Sequence, residues 1–377
     1  MGRETLVLSG SYFFYGPLRD LDLLEQVLGR AVRVTAAWLP DHSVQGDMDA
    51  AFPVLLAQSG AQVAGVVLAG VSAAEVARLE FFAAAVAATA QAMTVMQAEG
   101  AVDAQVFWRA GAGSGDAWLF EDWQRHFGAE LRAMAGDVMA LFGVKPAEAV
   151  AARRAQMLTR GASRVRAGQA APTLLRYQAG QGDVAVAALR EPYARFFAME
   201  EVDVSFRRFD GSMSPQVTRA GFIACDAVTV LPYDPVRDRV LVVDQFRAGP
   251  YLRGDPQPWQ IEAIAGRIDA GETPEDAARR EAVEEAGLAL DDLLPVASYY
   301  PSPGCSSEFL YSFVALTDLP DTAAGVFGVE GEAEDIRGHV IGFERLMALV
   351  ASGEIGNAPT VLSALWLAQN RARLRKA

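Results

Sequence analysis

Cysteine is nearly missing from the chain: Cys225 and Cys305 are the whole complement, far apart and without metal-ligand spacing. A disulfide framework and a zinc site are therefore not expected, and a reducing cytoplasm fits. Positive charge is also short. The 33 Lys and Arg face 47 Asp and Glu, a formal net charge of −14, which argues against a nucleic-acid backbone or an anionic membrane as the main partner. Long apolar runs are missing too. No stretch approaches the roughly 20 apolar residues of a membrane span, and the opening MGRETLVLSG lacks the basic-then-apolar layout of a signal peptide. The Ala-rich run from Ala83 to Met96 is too short to span and reads as a buried helix. Histidine is scarce, and His42, His126 and His339 read as packing residues rather than ligands.

What is present is length and apolar content: 377 residues, 51% of them hydrophobic, suffice for two or three domains. The most informative stretch is 266–288, GRIDAGETPEDAARREAVEEAGL. Thr273 can cap a helix that starts at Pro274, because proline lacks the N–H that would go unpaired there and its φ is already helical. On that helix Glu281 lies three and four residues before Glu284 and Glu285, so three carboxylates project over one patch. Carboxylates that close repel one another unless a cation sits between them, and oxygen-only ligands suit a hard divalent ion such as Mg²⁺. The plainer reading of such a pattern is a solvated helix face.

The same residues fill every fixed position of the Nudix box, G-x5-E-x7-R-E-U-x-E-E-x-G-U, with Gly266, Glu272, Arg280, Glu281, Glu284, Glu285 and Gly287; only Ala282 is smaller than usual. The resemblance implies that Glu272 and Arg280 pair to steady the loop before the helix. From Pro192 onward the chain resembles bacterial ADP-ribose pyrophosphatases, through RRFDGSMSPQVTRAGF, AVTVLPYDPVRDRVLVVDQFR, PSPGCSSEF, EGEAEDIRGHV and GEIGNAPTVLSALWLAQ. Pro303, sixteen residues after Gly287, is the mark of that subfamily and opens a turn with Gly304 that is expected to bind substrate by shaping the sugar site. The resemblance implies Mg²⁺, with Mn²⁺ as the alternative, held by Glu281, Glu284, Glu285 and the Ala265 carbonyl. It implies Arg247 on phosphate and Glu308 as a further site carboxylate. Arg219 reaches the nucleotide end or makes a surface ion pair. Since the box glutamates are committed to metal, the general base falls in the acidic loop 330–335: Glu332 matches the family's residue, and Glu334 is its competitor. Patterns place strands at 227–231, 240–245, 261–265, 294–299 and 309–316, and helices at 274–286, 343–352 and 358–374, an α/β/α sandwich.

The earlier part reads differently. Leu6-Val7-Leu8 and Tyr12–Tyr15 are strand material, Asp20 caps a helix through Leu28, and a strand Val63–Leu68 precedes a helix from Ala73. With FFYGPLR and AGVVLAGVSAAEVARLEFF, this order resembles the gamma-glutamylcyclotransferase-like (AIG2-like) fold, a small mixed β-barrel with helices. That family's general acid/base glutamate aligns with Ala83, which cannot accept a proton. Glu80, three residues earlier, occupies that family's aspartate position.

Together these readings give a two-domain α+β and α/β chain: a cyclotransferase-like mixed barrel at 1–143, an Arg-rich connector at 144–190, and a Nudix α/β/α sandwich at 191–377. The connector reads as a solvated linker helix or as a basic strip that docks elsewhere, followed by a short hairpin through Leu174 to Val186. The domain order is similar to that of alphaproteobacterial proteins associated with tellurite resistance, a phenotype that names no reaction. Three functions compete: hydrolysis of ADP-ribose or another nucleoside diphosphate sugar, ADP-ribose sensing without catalysis, and cyclotransferase activity in the first domain. The resemblance further implies a homodimer in which strands near Val202 to Gln216 cross to the partner.

Overall fold

The computed structural model describes residues 10–46, 51–109, 111–328 and 335–376. The strand expected at Leu6–Leu8 and the loop glutamates Glu330, Glu332 and Glu334 lie outside these residues. The chain forms two compact units, Met1–Pro172 and Thr173–Ala377.

The first unit runs β1 (Gly10–Phe14), α1 (Leu21–Leu28), β2 (Thr35–Gln45), β3 (Val54–Val71), α2 (Ala73–Ala85), β4 (Thr89–Gln97), β5 (Gly100–Trp108), α3 (Phe120–His126), α4 (Gly128–Ala140), α5 (Ala147–Ala151) and α6 (Arg154–Ala167). The strands form a barrel in the order β1-β3-β2-β4-β5, closed by a parallel pairing of β1 with β5. Closure leaves no free sheet edge, and alternate side chains, among them Phe13, Leu39, Leu55, Val67, Val95 and Val106, fill the interior. Asp20 caps α1 as expected, its carboxylate accepting from Leu23 N at 3.0 Å.

Two expectations need correction. The run Ala83–Met96 is not one helix: α2 stops at Ala85, Ala87 has φ of 57°, and β4 begins at Thr89. Alanine is the best helix former, but intrinsic propensity yields to tertiary context, and pairing of β4 along all of β5 outweighs it. The Arg-rich stretch is not a solvated linker either. Met157, Leu158 and Ala162 of α6 are buried, and Arg160 and Arg164 both pair with Asp137 of α4, at 3.1 and 3.0 Å. At Gly161 a side chain would meet the Glu130 carbonyl at 2.5 Å, so α4 and α6 approach closely only because that residue is glycine.

The second unit opens with an antiparallel meander, β6 (Val184–Ala194), β7 (Ala198–Phe206) and β8 (Val217–Ile223). The hairpin expected at Leu174–Val186 is thus displaced: strand pairing starts at Val184, where alternating β-branched residues begin. There follow β9 (Ala227–Asp234), β10 (Arg239–Phe246), α7 (Ala248–Arg253), β11 (Trp259–Glu262), β12 (Ile264–Arg267), α8 (Pro274–Ala286), β13 (Asp292–Tyr299), β14 (Leu310–Leu316), β15 (Gly325–Phe327), β16 (Ile336–Gly342), α9 (Phe343–Ser352) and α10 (Ala358–Leu374). The sheet order is β13-β14-β9-β10-β16-β15, with β11 on β10 and β12 on β9.

Period-two alternation covers both faces of this sheet. Val228, Val230, Leu241 and Val243 pack with Ala277, Ala278 and Ala282 of α8. Leu231, Tyr233, Val240 and Val242 pack with Phe343, Leu346 and Leu367 of α9 and α10. The result is the expected α/β/α sandwich. Two details differ from the pattern reading. The single strand expected at 261–265 is broken at Ala263, whose N–H leaves the ladder to donate to Thr360 Oγ1 at 2.8 Å. The turn expected at Pro232–Pro235 comes later, because the Asp234 carboxylate accepts from Val236 N and Arg237 N, each at 2.9 Å, and closes the chain there.

Candidate active site

Helix α8 is fixed at both ends by local chemistry. Thr273 Oγ1 accepts from Asp276 N at 3.1 Å, Pro274 takes the first helical position, and Gly287 ends the helix with φ of 61°. Ala277, Ala278, Ala282 and Ala286 are what it packs into the apolar core, and Ala282, the box's departure from a bulkier residue, is fully buried against the sheet. That close seat brings Glu281 and Glu285 to β12. Both are buried. Glu285 Oε2 accepts from Ala265 N at 3.2 Å, and a Cβ on Gly266 would lie 1.9 Å from the Glu281 carboxyl carbon. The box glycine is therefore a requirement of the carboxylate beside it.

Arg280 ties the loop to the helix as the box implies. Its Nε and Nη2 donate to the two Glu272 oxygens at 2.8 and 3.0 Å, and Nη2 also donates to the Arg267 carbonyl at 2.9 Å. Nη1 donates to Glu281 at 2.7 Å and Glu284 at 3.1 Å. Burial pushes Glu272 up, but hydrogen bonds from Arg280 and the Asp269 amide prevail and hold it below the usual carboxylate range. Hydrogen bonding to Glu272 raises Arg280 in turn, against its own burial. Among the described residues no three carboxylate, histidine or cysteine groups close on a single metal-sized point. Arg280 Nη1 stands between Glu281 and Glu284, where a cation would otherwise be needed. The donor set of Glu281, Glu284, Glu285 and the Ala265 carbonyl still fits a hard divalent ion, since it is oxygen throughout and Gly266 leaves the carboxylate its room.

Two adjoining clefts meet at Ala265–Arg267. One, of about 280 Å³, is lined by Arg247, Glu262, Glu308 and Asn357 among others; the other, of about 600 Å³, by Phe196, Phe197, Arg280, Glu281 and Glu284. Arg247 and Arg267 line both. Arg247 is held by Glu262, whose Oε2 accepts from Nε at 3.0 Å and from Nη2 at 2.7 Å, while Asn357 donates to the other oxygen at 3.1 Å. Burial pushes Glu308 above the usual carboxylate range, although Arg247 and Arg267 pull the other way.

The structure thus brings together Ala265, Gly266, Glu281, Glu284, Glu285, Arg247 and Glu308. Pro303 and Gly304 are exposed in a turn that docks on β8, where Phe222 N donates to Cys305 O at 2.7 Å; they line neither cleft. Arg219 is exposed on β8 and lines neither cleft. Glu332 lies outside the described residues. Glu262, Asn357, Arg267 and the Phe196-Phe197 pair join the site without having stood out in the sequence. The aromatic doublet in the β6–β7 turn is visible there as an apolar pair, but nothing in its spacing points to a box some 70 residues away.

The first unit has its own small cavity, about 60 Å³, lined by Tyr15, Gly16, Pro17, Leu18 and Ala83 among others. Burial pushes the Tyr15 hydroxyl up to about 12, with Arg109 opposing. Ala83 faces this cavity, whereas Glu80 is exposed and is not part of its lining.

A glycine-spaced carboxylate helix laid on a mixed sheet, with arginine-lined clefts beside it, defines a Nudix-type hydrolase site. Residues 224–361 match the NUDIX domain family model, and residues 12–125 match that for gamma-glutamyl cyclotransferase, AIG2-like. The chain is 40% identical over 196 residues to an ADP-ribose pyrophosphatase of Escherichia coli, covering 52% of this chain and 93% of that one. It is 34% identical over 198 residues to an ADP-ribose pyrophosphatase of Haemophilus influenzae, covering 52% of this chain and 91% of that one. To a GDP-mannose pyrophosphatase of Yersinia enterocolitica it is 30% identical over 153 residues, 41% of this chain and 78% of that one. The chain belongs to the Nudix hydrolase family, with an AIG2-like domain preceding the hydrolase.

Proposed function

We propose that the second unit hydrolyses the diphosphate of ADP-ribose, giving AMP and ribose 5-phosphate. The observation that carries this is the pair of buried carboxylates, Glu281 and Glu285, set against β12 at the junction of two clefts that share Arg247 and Arg267. Arg247 and Arg267 on the shared wall would meet a diphosphate's charge, and the partly exposed rings of Phe196 and Phe197, set edge to face, offer a ring face for a base. Greater similarity to ADP-ribose enzymes than to the GDP-mannose enzyme favours ADP-ribose. Among the described residues no helix is long and apolar enough to cross a membrane.

Mg²⁺, or Mn²⁺, would be held by Glu281, Glu284, Glu285 and the Ala265 carbonyl, and when bound it supplies positive charge at the diphosphate and eases ionisation of the attacking water. The chain's own residues do the positioning. Glu272 fixes Arg280, which orients Glu281, and the Ala265 amide orients Glu285. Glu262 fixes Arg247 on the shared wall, where phosphate charge would be met. Glu332 takes the proton from water as general base, with Glu334 as its competitor. A panel of ADP-ribose, GDP-mannose, NADH and dinucleoside polyphosphates with Mg²⁺ tests the substrate; preference for any of the others over ADP-ribose would refute it.

The unit is further proposed to be a homodimer. Val184, Val186 and Leu189 stand opposite Phe206, Val204 and Val202 in register, and Arg219 and Val217 continue the row on β8. Val184, Val186 and Leu189 are each more than half exposed, an apolar sheet face of the kind that marks an interface. Arg219, which lines neither cleft of its own chain, is proposed to reach the partner's cleft in that dimer. A fully active monomer by light scattering would contradict this. The first unit is proposed to be a scaffold without cyclotransferase chemistry, because Ala83 presents a methyl group to its cavity.

A further inference from the structure

Arg267 is the arginine of the clefts that, among the described residues, makes no close ion pair. Arg247 is bound to Glu262, and Arg280 to Glu272, Glu281 and Glu284. Among the described residues no carboxylate lies within 4.0 Å of the Arg267 guanidinium. It rests instead on aromatic rings, 3.9 Å from the centroid of Phe196 and 5.3 Å from that of Phe197. Its main chain is fixed, since its carbonyl accepts from Arg280 Nη2 at 2.9 Å and it pairs with Ala227 in the sheet. Its side chain rests on the rings, within electrostatic reach of Asp269 and Glu308 but bonded to neither, beside Gly266 and on the wall shared by both clefts.

We propose that Arg267 exchanges partners during substrate binding: it covers the ring face of Phe196 in the free enzyme and moves to the diphosphate when a nucleobase takes that face. This rests on the reading that the clefts receive a nucleoside diphosphate. The exchange is favourable because a cation on a partly exposed ring is held weakly, while a guanidinium on phosphate forms charge-assisted and often bidentate hydrogen bonds. Base stacking and charge pairing are thereby coupled through one side chain. A nucleoside without phosphate must displace Arg267 and receives no new ion pair in return. Removing the arginine therefore acts with opposite sign on the two kinds of ligand, which a merely structural residue does not do.

The test is calorimetric titration of the full chain with ADP and with adenosine, in chelator to prevent turnover, comparing wild type with Arg267→Met and Arg267→Lys. For Arg267→Met, ADP is expected to bind about 10-fold to 100-fold more weakly, the usual range for a lost charged hydrogen bond. Adenosine is expected to bind about 2-fold to 5-fold more tightly, as the cation–π contact no longer has to be broken. Arg267→Lys, which keeps the charge, is expected to recover most of the ADP affinity, and in Phe196→Leu the effect on adenosine is expected to vanish. If Arg267→Met weakens ADP and adenosine by the same factor, or leaves ADP unaffected, the exchange is overturned. If wild type binds neither ligand and does not hydrolyse ADP-ribose, the underlying functional reading fails instead, and the exchange fails with it.

Discussion

Replacing Gly266 by alanine isolates the closest contact in the site. The added Cβ would lie 1.9 Å from both the carboxyl carbon and Oε1 of Glu281, whereas real Cβ atoms essentially never come within 3.0 Å of a neighbour. Either the carboxylate retreats by about 1 Å or β12 shifts, and a misplacement of that size costs about 100-fold in rate. We therefore expect kcat/KM for ADP-ribose to fall about 100-fold, roughly 2.7 kcal/mol of transition-state stabilisation. The Mg²⁺ concentration for half-maximal activity should rise. Overpacking costs about 1–3 kcal/mol of stability, and at about 2–4 °C per kcal/mol for a unit of this size the melting temperature should drop by roughly 2–12 °C. The protein stays folded, so activity at 25 °C reports the site rather than the fold. Gly249→Ala, where the added methyl group would meet nothing within 4 Å, is the control and should change neither quantity appreciably. Activity of Gly266→Ala within threefold of wild type would refute the reasoning, because it would mean that the position of Glu281 does not matter.

The loop, the acid limb and the first unit give further tests. Glu332→Gln should lower kcat about 10²-fold to 10⁴-fold with a smaller effect on KM, the range for a lost general base; the same loss in Glu334→Gln alone would move the assignment by two residues. Glu272 has its folded pKa below the unfolded value, so its pairing with Arg280 stabilises fully above about pH 4.3 and is lost as pH falls through the depressed value. Glu272→Gln should accordingly lower the melting temperature at pH 7 and converge on wild type as pH falls through the depressed value, and a pH-independent difference would contradict the pairing. The full chain should release no 5-oxoproline from gamma-glutamyl amino acids or glutathione; release that disappears in Glu80→Gln would show that a neighbouring carboxylate had replaced the missing one.

What the sequence disclosed was whatever depends on neighbours along the chain. Thr273, Pro274 and Gly287 specify the ends of α8 by capping chemistry, and the spacing of Glu281, Glu284 and Glu285 follows from helical periodicity. Alternation along 227–231 and 240–245 predicted strands whose two faces the structure covers with α8 on one side and α9 and α10 on the other. What stayed hidden depends on contacts between distant segments. The Asn357–Glu262–Arg247 chain joins residues up to 110 positions apart, and each member alone reads as a surface polar group. Arg267 over Phe196 joins the box to a turn in another sheet. Ala83–Met96 misled because its composition suits a helix while barrel closure demands a strand from Thr89. Gly161 shows the same limit in the Arg-rich stretch: it serves as the point of contact between α4 and α6, which its neighbours along the chain do not announce.

The most direct test of the central claim is phosphorus NMR of ADP-ribose turnover with Mg²⁺, run in parallel on wild type and Glu285→Gln. The account predicts that wild type converts the diphosphate signals into equal amounts of AMP and ribose 5-phosphate. Glu285→Gln, still folded and still binding ADP, should lose most of that conversion because a buried carboxylate oriented by the Ala265 amide has lost its charge. Near-normal conversion by Glu285→Gln at saturating Mg²⁺, or an ADP-ribose spectrum left unchanged by wild type, would contradict it.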